Sequence, residues 1–190
     1  MDYATLTPHD LRTHDAFTAL MWAFTHPGRV YTLLATRNGG GLYLLDTIGE
    51  TLLDLETSFW TPDSALQERL GATGARCLDP GSAAYLFWPT LPTAHLVYVE
   101  QASVGTMAVP EDAATLVIGC TLGSGETLRL HGPGIRGERT VQVGGLPGGF
   151  WALRERRRRY PLGWDLLLVD DDRVMGVPRS TEVERVGEVA

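Results

Sequence analysis

The longest run of charged side chains in the sequence is Arg154 to Arg159, which holds five arginines and one glutamate. Guanidinium groups pair with phosphate and carboxylate oxygens in a planar, two-pronged geometry. Arg156, Arg157 and Arg158 could therefore contact a triphosphate or the acidic surface of a partner protein. The same run ends a predicted helix, where cations complement the helix dipole and commonly face solvent. The sequence favours the solvated helix end and leaves the anion contact as the alternative.

The histidines do not follow the spacing of a metal site. His9 and His14 are five residues apart, whereas a spacing of four places two ligands on one face of a helix. His26, His95 and His131 stand alone, and the sequence has neither an HExxH motif nor paired cysteines. Solvated or hydrogen-bonded histidines are the better interpretation, and no metal site is predicted.

The sequence does not assemble a nucleophile or an acid–base pair. Ser124 lies in Gly-Ser-Gly without the flanking spacing of a nucleophile elbow, which is typical of a hairpin loop. Carboxylates are numerous, and the triplet Asp170-Asp171-Asp172 is typical of a hydrophilic turn. The amides of Gly132-Pro133-Gly134 could cradle an anion, but Pro133 supplies no amide, so a tight turn is favoured. No catalytic residue is predicted.

All 16 basic residues are arginine, and the 190-residue chain contains no lysine. A pyridoxal-phosphate aldimine and a Walker-type phosphate loop both need a lysine side chain, so no cofactor site is predicted. The formal charge of −7 disfavours non-specific binding to nucleic acid or to an anionic membrane. The length suits one domain, residues 1–190, that buries its core without a metal or a disulfide.

The cysteines and the apolar segments indicate a compartment. Cys77 and Cys120 are far apart in sequence, which is typical of reduced core residues. The first residues have neither a basic region nor an apolar signal core, and no stretch approaches 18 apolar residues. These features predict a cytoplasmic protein without a membrane span.

An amphipathic helix is the first predicted element. From Phe17, apolar residues recur at i, i+3, i+4 and i+7, which predicts a helix over 11–25 with one apolar stripe. Thr13 or Asp10 could cap its start, and Pro27-Gly28 ends it.

The other predicted elements are short. Strands are predicted at 30–34, 58–60, 84–88, 115–121, 127–130, 140–143, 165–169 and 173–177. Helices are predicted at 42–55, 62–70 and 150–159, and the first of them could instead be a strand pair. Hairpin turns are predicted at 123–125 and 170–172, and a loop at 38–41. Between 89 and 110 the helix and strand signals conflict, and both remain open.

Six short blocks extend in order over almost the whole chain: FTALMWAFTHPG from Phe17, LLDLET from Leu52 together with Trp60, PEDAATL from Pro110, LHGPGI from Leu130, YPLGWD from Tyr160 and PRST from Pro178. In this order the blocks resemble the PhnH family of the bacterial carbon–phosphorus lyase system. The resemblance implies a structural role for the motif residues. They are Pro27, Gly28, Asp54, Glu56, Thr57, Gly132, Gly134, Pro161, Gly163, Asp165, Pro178 and Arg179.

The resemblance implies a non-catalytic subunit of the carbon–phosphorus lyase core complex. Together with the other core subunits, such a subunit supports formation of α-D-ribose 1-methylphosphonate 5-triphosphate from ATP and methylphosphonate, with release of adenine. It implies a homodimer in isolation and no activity alone. The alternatives from the residues themselves are a small nucleotide- or phosphonate-binding module, or a self-sufficient hydrolase or transferase.

The expected fold is α/β. Helices mixed with hairpins and longer crossovers predict layers around a mixed central sheet. The resemblance narrows this to a three-layer α/β/α arrangement like that of pyridoxal-phosphate-dependent transferases, without the cofactor site.

Overall fold

The computed structural model describes residues 7–33 and 42–187, so the predicted loop at 38–41 lies outside the described residues. The described residues form the α-helices α1 (Pro8–Thr25), α2 (Leu42–Leu52), α3 (Ser64–Gly71), α4 (Leu96–Gln101) and α5 (Phe150–Arg157). Their strands are β1 (Val30–Thr32), β2 (Ser58–Trp60), β3 (Arg76–Cys77), β4 (Tyr85–Trp88), β5 (Thr115–Gly119), β6 (Thr121–His131), β7 (Arg139–Gly144), β8 (Asp165–Asp170), β9 (Arg173–Val177) and β10 (Glu182–Arg185).

Seven strands form a mixed sheet in the order β1-β9-β8-β5-β4-β2-β3. The run from β8 to β3 is parallel, whereas β9 is antiparallel to both β8 and β1. The central strands are continuous apolar runs, Leu116–Ile118 and Leu166–Val169, because both faces of a parallel sheet are buried. The α/β class and the mixed sheet are therefore confirmed.

The sheet divides two apolar clusters. On one face α1, α2 and α3 pack against side chains such as Phe87, Val117 and Leu167. On the other face α4 and α5 pack against residues such as Trp88 and Ile118. That second face is shared with a three-stranded antiparallel sheet of order β10-β6-β7, so its outer layer is not wholly helical as the predicted α/β/α arrangement would have it.

The first helix begins earlier than predicted, and its cap is a different residue. Thr7 is the N-cap: its hydroxyl accepts a hydrogen bond from the Asp10 amide at 3.2 Å, while the Asp10 carboxylate accepts one from the Thr7 amide at 2.8 Å. This reciprocal capping box, followed by Pro8, fixes the start of the helix. Thr13, the other predicted cap, lies inside the first turns and bonds to the Asp10 carbonyl.

The predicted hairpin at Gly123-Ser124-Gly125 is wrong. β5 and β6 belong to different sheets, and the glycines form an irregularity within β6, where the register with β7 shifts between Leu122 and Glu126. A glycine pair inside a strand commonly marks such a bulge, so local sequence alone does not separate it from a turn. The hairpin at 170–172 is confirmed, because β8 and β9 pair on either side of it.

Within the ambiguous region from 89 to 110, residues 93–101 are helical: a 3-10 turn at Thr93–His95 leads into α4. The segment 42–55 is likewise helical over Leu42–Leu52, and the helix predicted at 62–70 begins at Ser64 with Asp63 as its cap. No helix within 7–33 and 42–187 is both long and apolar enough to cross a membrane.

Candidate functional site

Five of the six motif blocks meet around an ion pair between Asp165 and Arg179. The Asp165 carboxylate accepts hydrogen bonds from the Arg179 amide at 2.7 Å and from its Nε at 3.0 Å. The Arg179 guanidinium also donates to the Pro110 carbonyl, which belongs to a third block. Both side chains are mostly buried. The pair therefore joins β8, the end of β9 and the entry to β5.

Two other blocks reach this network through close backbone approaches at glycine. A Cβ on Gly134 would lie 2.3 Å from the Thr25 carbonyl oxygen, at the end of α1. A Cβ on Gly132 would lie 2.8 Å from the Ser180 carbonyl oxygen. Gly28 has a φ of +76°, and its Cβ would lie 2.6 Å from the side-chain atom Leu130 Cδ1. These motif glycines permit close packing, and Gly132 also lines a cleft that is described below.

Pro161 and Gly163 shape the connection from α5 into β8. The Tyr160–Pro161 peptide bond is cis, Gly163 has a φ of +140°, and its amide donates to the Val104 carbonyl at 3.0 Å. A Cβ at Gly163 would lie 3.4 Å from Arg158 Cγ and 3.4 Å from Arg179 Cβ. Only glycine adopts such a backbone conformation without strain.

We expect Gly163→Val to lower the free energy of unfolding by about 1–3 kcal/mol, because valine strains this backbone conformation. Urea denaturation of the purified variant measures the change. The matched control is Gly148→Val, a loop glycine whose φ is not positive and whose Cβ would meet nothing within 4 Å. An equal loss in both variants would argue against a special role for Gly163.

The remaining motif block, Asp54 to Thr57, is a self-contained turn before β2. The Asp54 carboxylate accepts from the amides of Glu56 at 2.9 Å and Thr57 at 3.0 Å, and the Thr57 hydroxyl donates back to the Asp54 carbonyl. Burial raises the pKa of Tyr85, and the carboxylates of Asp54 and Asp165 raise it further. Asp54 shortly precedes β2 and Asp165 begins β8, so both aspartates lie near the amino-terminal edge of the sheet.

The arginine run is largely bound to the protein itself. Arg154 is 1% exposed and donates to the Thr181 carbonyl at 3.0 Å and the Pro178 carbonyl at 2.8 Å, besides pairing with Glu155. Burial lowers the pKa of Arg154, an effect that Glu155 partly offsets. The sequence did not single out Arg154, because a buried arginine inside a charge run has no local signature.

The three predicted contact arginines have different surroundings. Arg158 pairs with Glu155 at 2.8 Å and with Glu182 at 3.3 Å, and Arg157 lies 6.0 Å from the centroid of the Trp164 ring. Arg156 is the most exposed of the three and pairs with Glu100 on α4 at 3.1 Å. The run therefore fastens α5 to its neighbours and does not form one open cationic surface.

A cleft of about 390 Å³ lies between the ends of β6, α5 and β9, and its lining includes His131, Arg158, Tyr160 and Glu182. Two motif blocks and the end of the arginine run meet there. Among the described residues that line the cleft, Arg158 carries the only guanidinium group, and this group is already paired with two carboxylates. The cleft is thus a poor site for a phosphate or phosphonate.

A larger pocket, of about 550 Å³, lies at the opposite edge of the sheet and was not predicted from the sequence. It lies outside the carboxyl ends of β2, β4, β5 and β8, and we call it the carboxyl-end crevice; its lining is Asp63, Pro89, Thr90, Gly119, Cys120, Thr121, Gly145 and Val169. The sequence signal is the apolar strand that ends at Gly119-Cys120, which alone predicts one arm of a hairpin with Cys120 as a reduced core residue.

Cys120 contributes a thiol to the crevice, and the raised pKa of this thiol disfavours its reactive thiolate form at neutral pH. Burial raises the pKa of its thiol to about 12, the Asp170 carboxylate adds to the shift, and a backbone hydrogen bond with Val169 and the charge of Arg173 oppose it. A thiol reacts only as its thiolate. The crevice therefore offers a neutral S–H group. Among the described residues, no cluster of three or more His, Cys, Asp or Glu side chains could hold a metal ion.

We expect a thiol reagent at pH 8 to modify Cys77 in the folded chain and to leave Cys120 unmodified. Cys77 is exposed, whereas a pKa near 12 in place of 9.0 lowers the thiolate fraction of Cys120 about a thousandfold. Thiol counts before and after denaturation measure the difference. In this test the Cys77→Ser variant should not be labelled until it is unfolded, whereas the native Cys120→Ser variant should be labelled completely. Rapid labelling of native Cys77→Ser would contradict the expectation.

The sequence as a whole is similar to proteins of phosphonate metabolism. It matches the family model described as bacterial phosphonate metabolism protein (PhnH) over residues 7–184. It is 34% identical over 179 residues to the putative C-P lyase subunit protein HtxG of Stutzerimonas stutzeri, covering 93% of this chain and 88% of that protein. It is 30% identical over 185 residues to the α-D-ribose 1-methylphosphonate 5-triphosphate synthase subunit PhnH of Rhizobium meliloti (strain 1021), covering 89% and 88% of the two. The family resemblance inferred from the six motif blocks is thus confirmed, and this chain belongs to the PhnH family of bacterial phosphonate metabolism proteins.

Proposed function

We propose that the chain is a non-catalytic subunit of the carbon–phosphorus lyase core complex and supports formation of α-D-ribose 1-methylphosphonate 5-triphosphate from ATP and methylphosphonate. The observation that carries the proposal is the family match over residues 7–184, together with two relatives named as subunits of this system. The other core subunits are its partners, and the cytoplasm is its compartment.

The geometry supports a structural role for the motif residues. Asp165 and Arg179 are engaged with each other, the motif glycines permit close backbone packing, and Arg154 and Arg158 hold α5 in place. A catalytic group must be free to exchange a proton or to reach a substrate atom. Side chains that are already committed to internal ion pairs do not meet that requirement.

Two finer features belong to the same proposal. Residues 1–190 form a single PhnH-like domain, and its layered fold resembles that of pyridoxal-phosphate-dependent transferases without a working cofactor site. The chain has no lysine with which to form an aldimine.

The chain also forms a homodimer in isolation, and the outer face of α1 is its interface. Phe17 is 53% exposed and Met21 is 45% exposed, with Leu11 and Trp22 also exposed on the same helix. The inner face of α1 already buries Ala16, Leu20 and Ala23, so Phe17 and Met21 are additional apolar side chains on its solvent side. Neighbouring exposed apolar side chains of this size commonly mark a protein interaction site. Of the five tryptophans, only Trp22 is exposed, since Trp88, Trp151 and Trp164 lie in the core and Trp60 packs against it.

The test of the function is release of adenine from ATP in the presence of methylphosphonate. The companion subunits with this chain should release adenine, and omission of the chain should abolish the release, because the assembled complex needs it. The chain alone should show no release. Release by the lone chain would overturn the non-catalytic role, and undiminished release by the companions alone would overturn the requirement for it.

A second candidate, a small nucleotide- or phosphonate-binding module, is favoured by one observation, the open crevice at the carboxyl ends of the parallel strands. The Arg156–Arg158 run supports a binding module less strongly than the crevice does, because two of these arginines are ion-paired to neighbouring carboxylates. The two functions are compatible if a subunit of the complex also holds part of a nucleotide.

A further inference from the structure

The carboxyl-end crevice lies where the chain connections change direction. β2 and β4 are neighbours in the sheet, but β2 leads into α3 on one face, and β4 leads into α4 on the other. Two crossovers that depart on opposite faces leave a gap outside the carboxyl ends of the strands, and open α/β sheets bind ligands in such gaps. This cavity of about 550 Å³ therefore coincides with the position that the topology favours for a ligand.

The floor of the crevice is backbone, which leaves room for a flat molecule. A Cβ on Gly119 would lie 2.0 Å from the Pro89 carbonyl oxygen, so β4 and β5 approach here as closely as only glycine allows. Gly145 has a φ of +78° and lies over Cys120, where its missing side chain keeps the groove open. The volume of about 550 Å³ lies within the usual range for small-molecule sites.

The polar groups of the crevice select against an anion. Among the described residues that line it, none carries a positive charge, whereas Asp63 carries a negative one. The nearby Arg173 is paired with Asp170 on the β8–β9 hairpin, so its charge is largely neutralised. A phosphate would have to enter beside a carboxylate with no cation to balance it, and that costs free energy.

The same groups fit a neutral ligand with both donors and acceptors. Asp63 uses Oδ1 to cap α3 through the Leu66 amide at 2.7 Å, which leaves Oδ2 to accept from a hydroxyl or an amino group. The hydroxyls of Thr90 and Thr121 and the protonated thiol of Cys120 can donate to ring nitrogens. Pro89 and Val169 supply apolar walls.

We propose that the carboxyl-end crevice binds the neutral part of a nucleoside, a flat amino-bearing base with its ribose, and that it excludes the phosphates. The choice of adenosine as the ligand rests on the proposed function, in which ATP loses its base; the location and the preference for a neutral ligand rest on the crevice itself. In the complex, the phosphates of a bound nucleotide then extend away from this chain toward a companion subunit.

The experiment is calorimetric titration of the purified full chain with adenosine, AMP, tripolyphosphate and methylphosphonate. Adenosine should bind at one site per chain, at least as tightly as AMP. Tripolyphosphate and methylphosphonate, which have no base, should not bind. Trp60 and Trp88 end the strands that lead into the crevice, so tryptophan fluorescence gives a second readout of the same event. No binding of adenosine, or tighter binding of AMP or tripolyphosphate, would overturn the proposal.

Substitutions locate the site. Thr121→Phe and Thr90→Phe, on exposed residues that follow different strands, should each fill the crevice and weaken adenosine binding at least about tenfold. Ser124→Phe adds the same ring at an exposed position of β6 outside the lining and should leave binding unchanged. Melting curves establish that each variant is folded, and unchanged binding in both folded crevice variants would place the ligand elsewhere.

Assembly is measured separately, by co-purification of the same variants with the companion subunits. Wild-type chain that binds adenosine but does not assemble or support adenine release would refute the proposed function and leave the crevice assignment intact. Wild-type chain that assembles and supports release but binds no adenosine would refute the crevice assignment alone.

Discussion

Replacing Arg179 by methionine should lower the free energy of unfolding by about 3 kcal/mol, because it breaks a mostly buried ion pair and leaves Asp165 without its cation. Arg179 also donates to the Pro110 carbonyl, which loses its donor in the variant. Methionine matches the length of the arginine stem, so the loss reports the polar contacts more than the packing. Urea denaturation of wild type and variant gives the difference in the free energy of unfolding, when both free energies fall with urea concentration at the same slope.

Two controls test the cause of this loss. Arg156→Met removes an ion pair between mostly exposed side chains and should change stability by less than about 1 kcal/mol. Asp165→Asn in the Arg179→Met background should recover part of the loss, because the uncompensated charge is removed. An Arg179 variant as stable as the Arg156 variant would show that the pair does not hold the motif blocks together.

Replacing both Phe17 and Met21 by aspartate should convert the isolated chain from dimer to monomer. If the four side chains of the dimer together contribute about 4 kcal/mol as interface anchors, the dimer dissociation constant rises about a thousandfold. The four carboxylates brought together across a two-fold axis add repulsion to the lost apolar contact. Light scattering at tens of micromolar chain measures the mass.

The control is Met107→Asp, which introduces one such carboxylate at a residue that is 73% exposed and lies far along the chain from α1. This variant should remain dimeric. Circular dichroism of all variants distinguishes dissociation from unfolding of α1. A wild-type chain that is monomeric, or a Phe17/Met21 variant that stays dimeric, would rule out α1 as the interface.

Local patterns predicted the elements that carry their own signals. The apolar period of the first helix, its stop at Pro27-Gly28, and the turn at 170–172 all follow from residues within one or two turns of each other. The short apolar strands were also predicted, because continuous burial on both faces of a sheet selects such runs. The family could be inferred from the order of six blocks, although the function of their individual residues could not.

Tertiary contacts decided what the local patterns left open. The segment 96–101 forms a helix although Leu96-Val97-Tyr98-Val99 favours a strand, since Val99 packs against the sheet as part of a crossover helix. The Gly123-Ser124-Gly125 bulge became distinguishable from a hairpin only when β6 found its partners in a second sheet. Strand pairing depends on residues far away in the sequence, so the local glycine signal is the same in both cases.

The sequence by itself determined the α/β class, the absence of a lysine for aldimine chemistry, and the family to which the chain belongs. Only the tertiary structure decided that Asp165 and Arg179 form one ion pair, that Arg154 is buried within a charge run, and that a crevice opens above β4 and β5. The physical reason is the same in each case. A side chain's charge and shape are fixed by its type, whereas its burial and its partners depend on strands and helices that are remote in sequence and adjacent only in the folded chain.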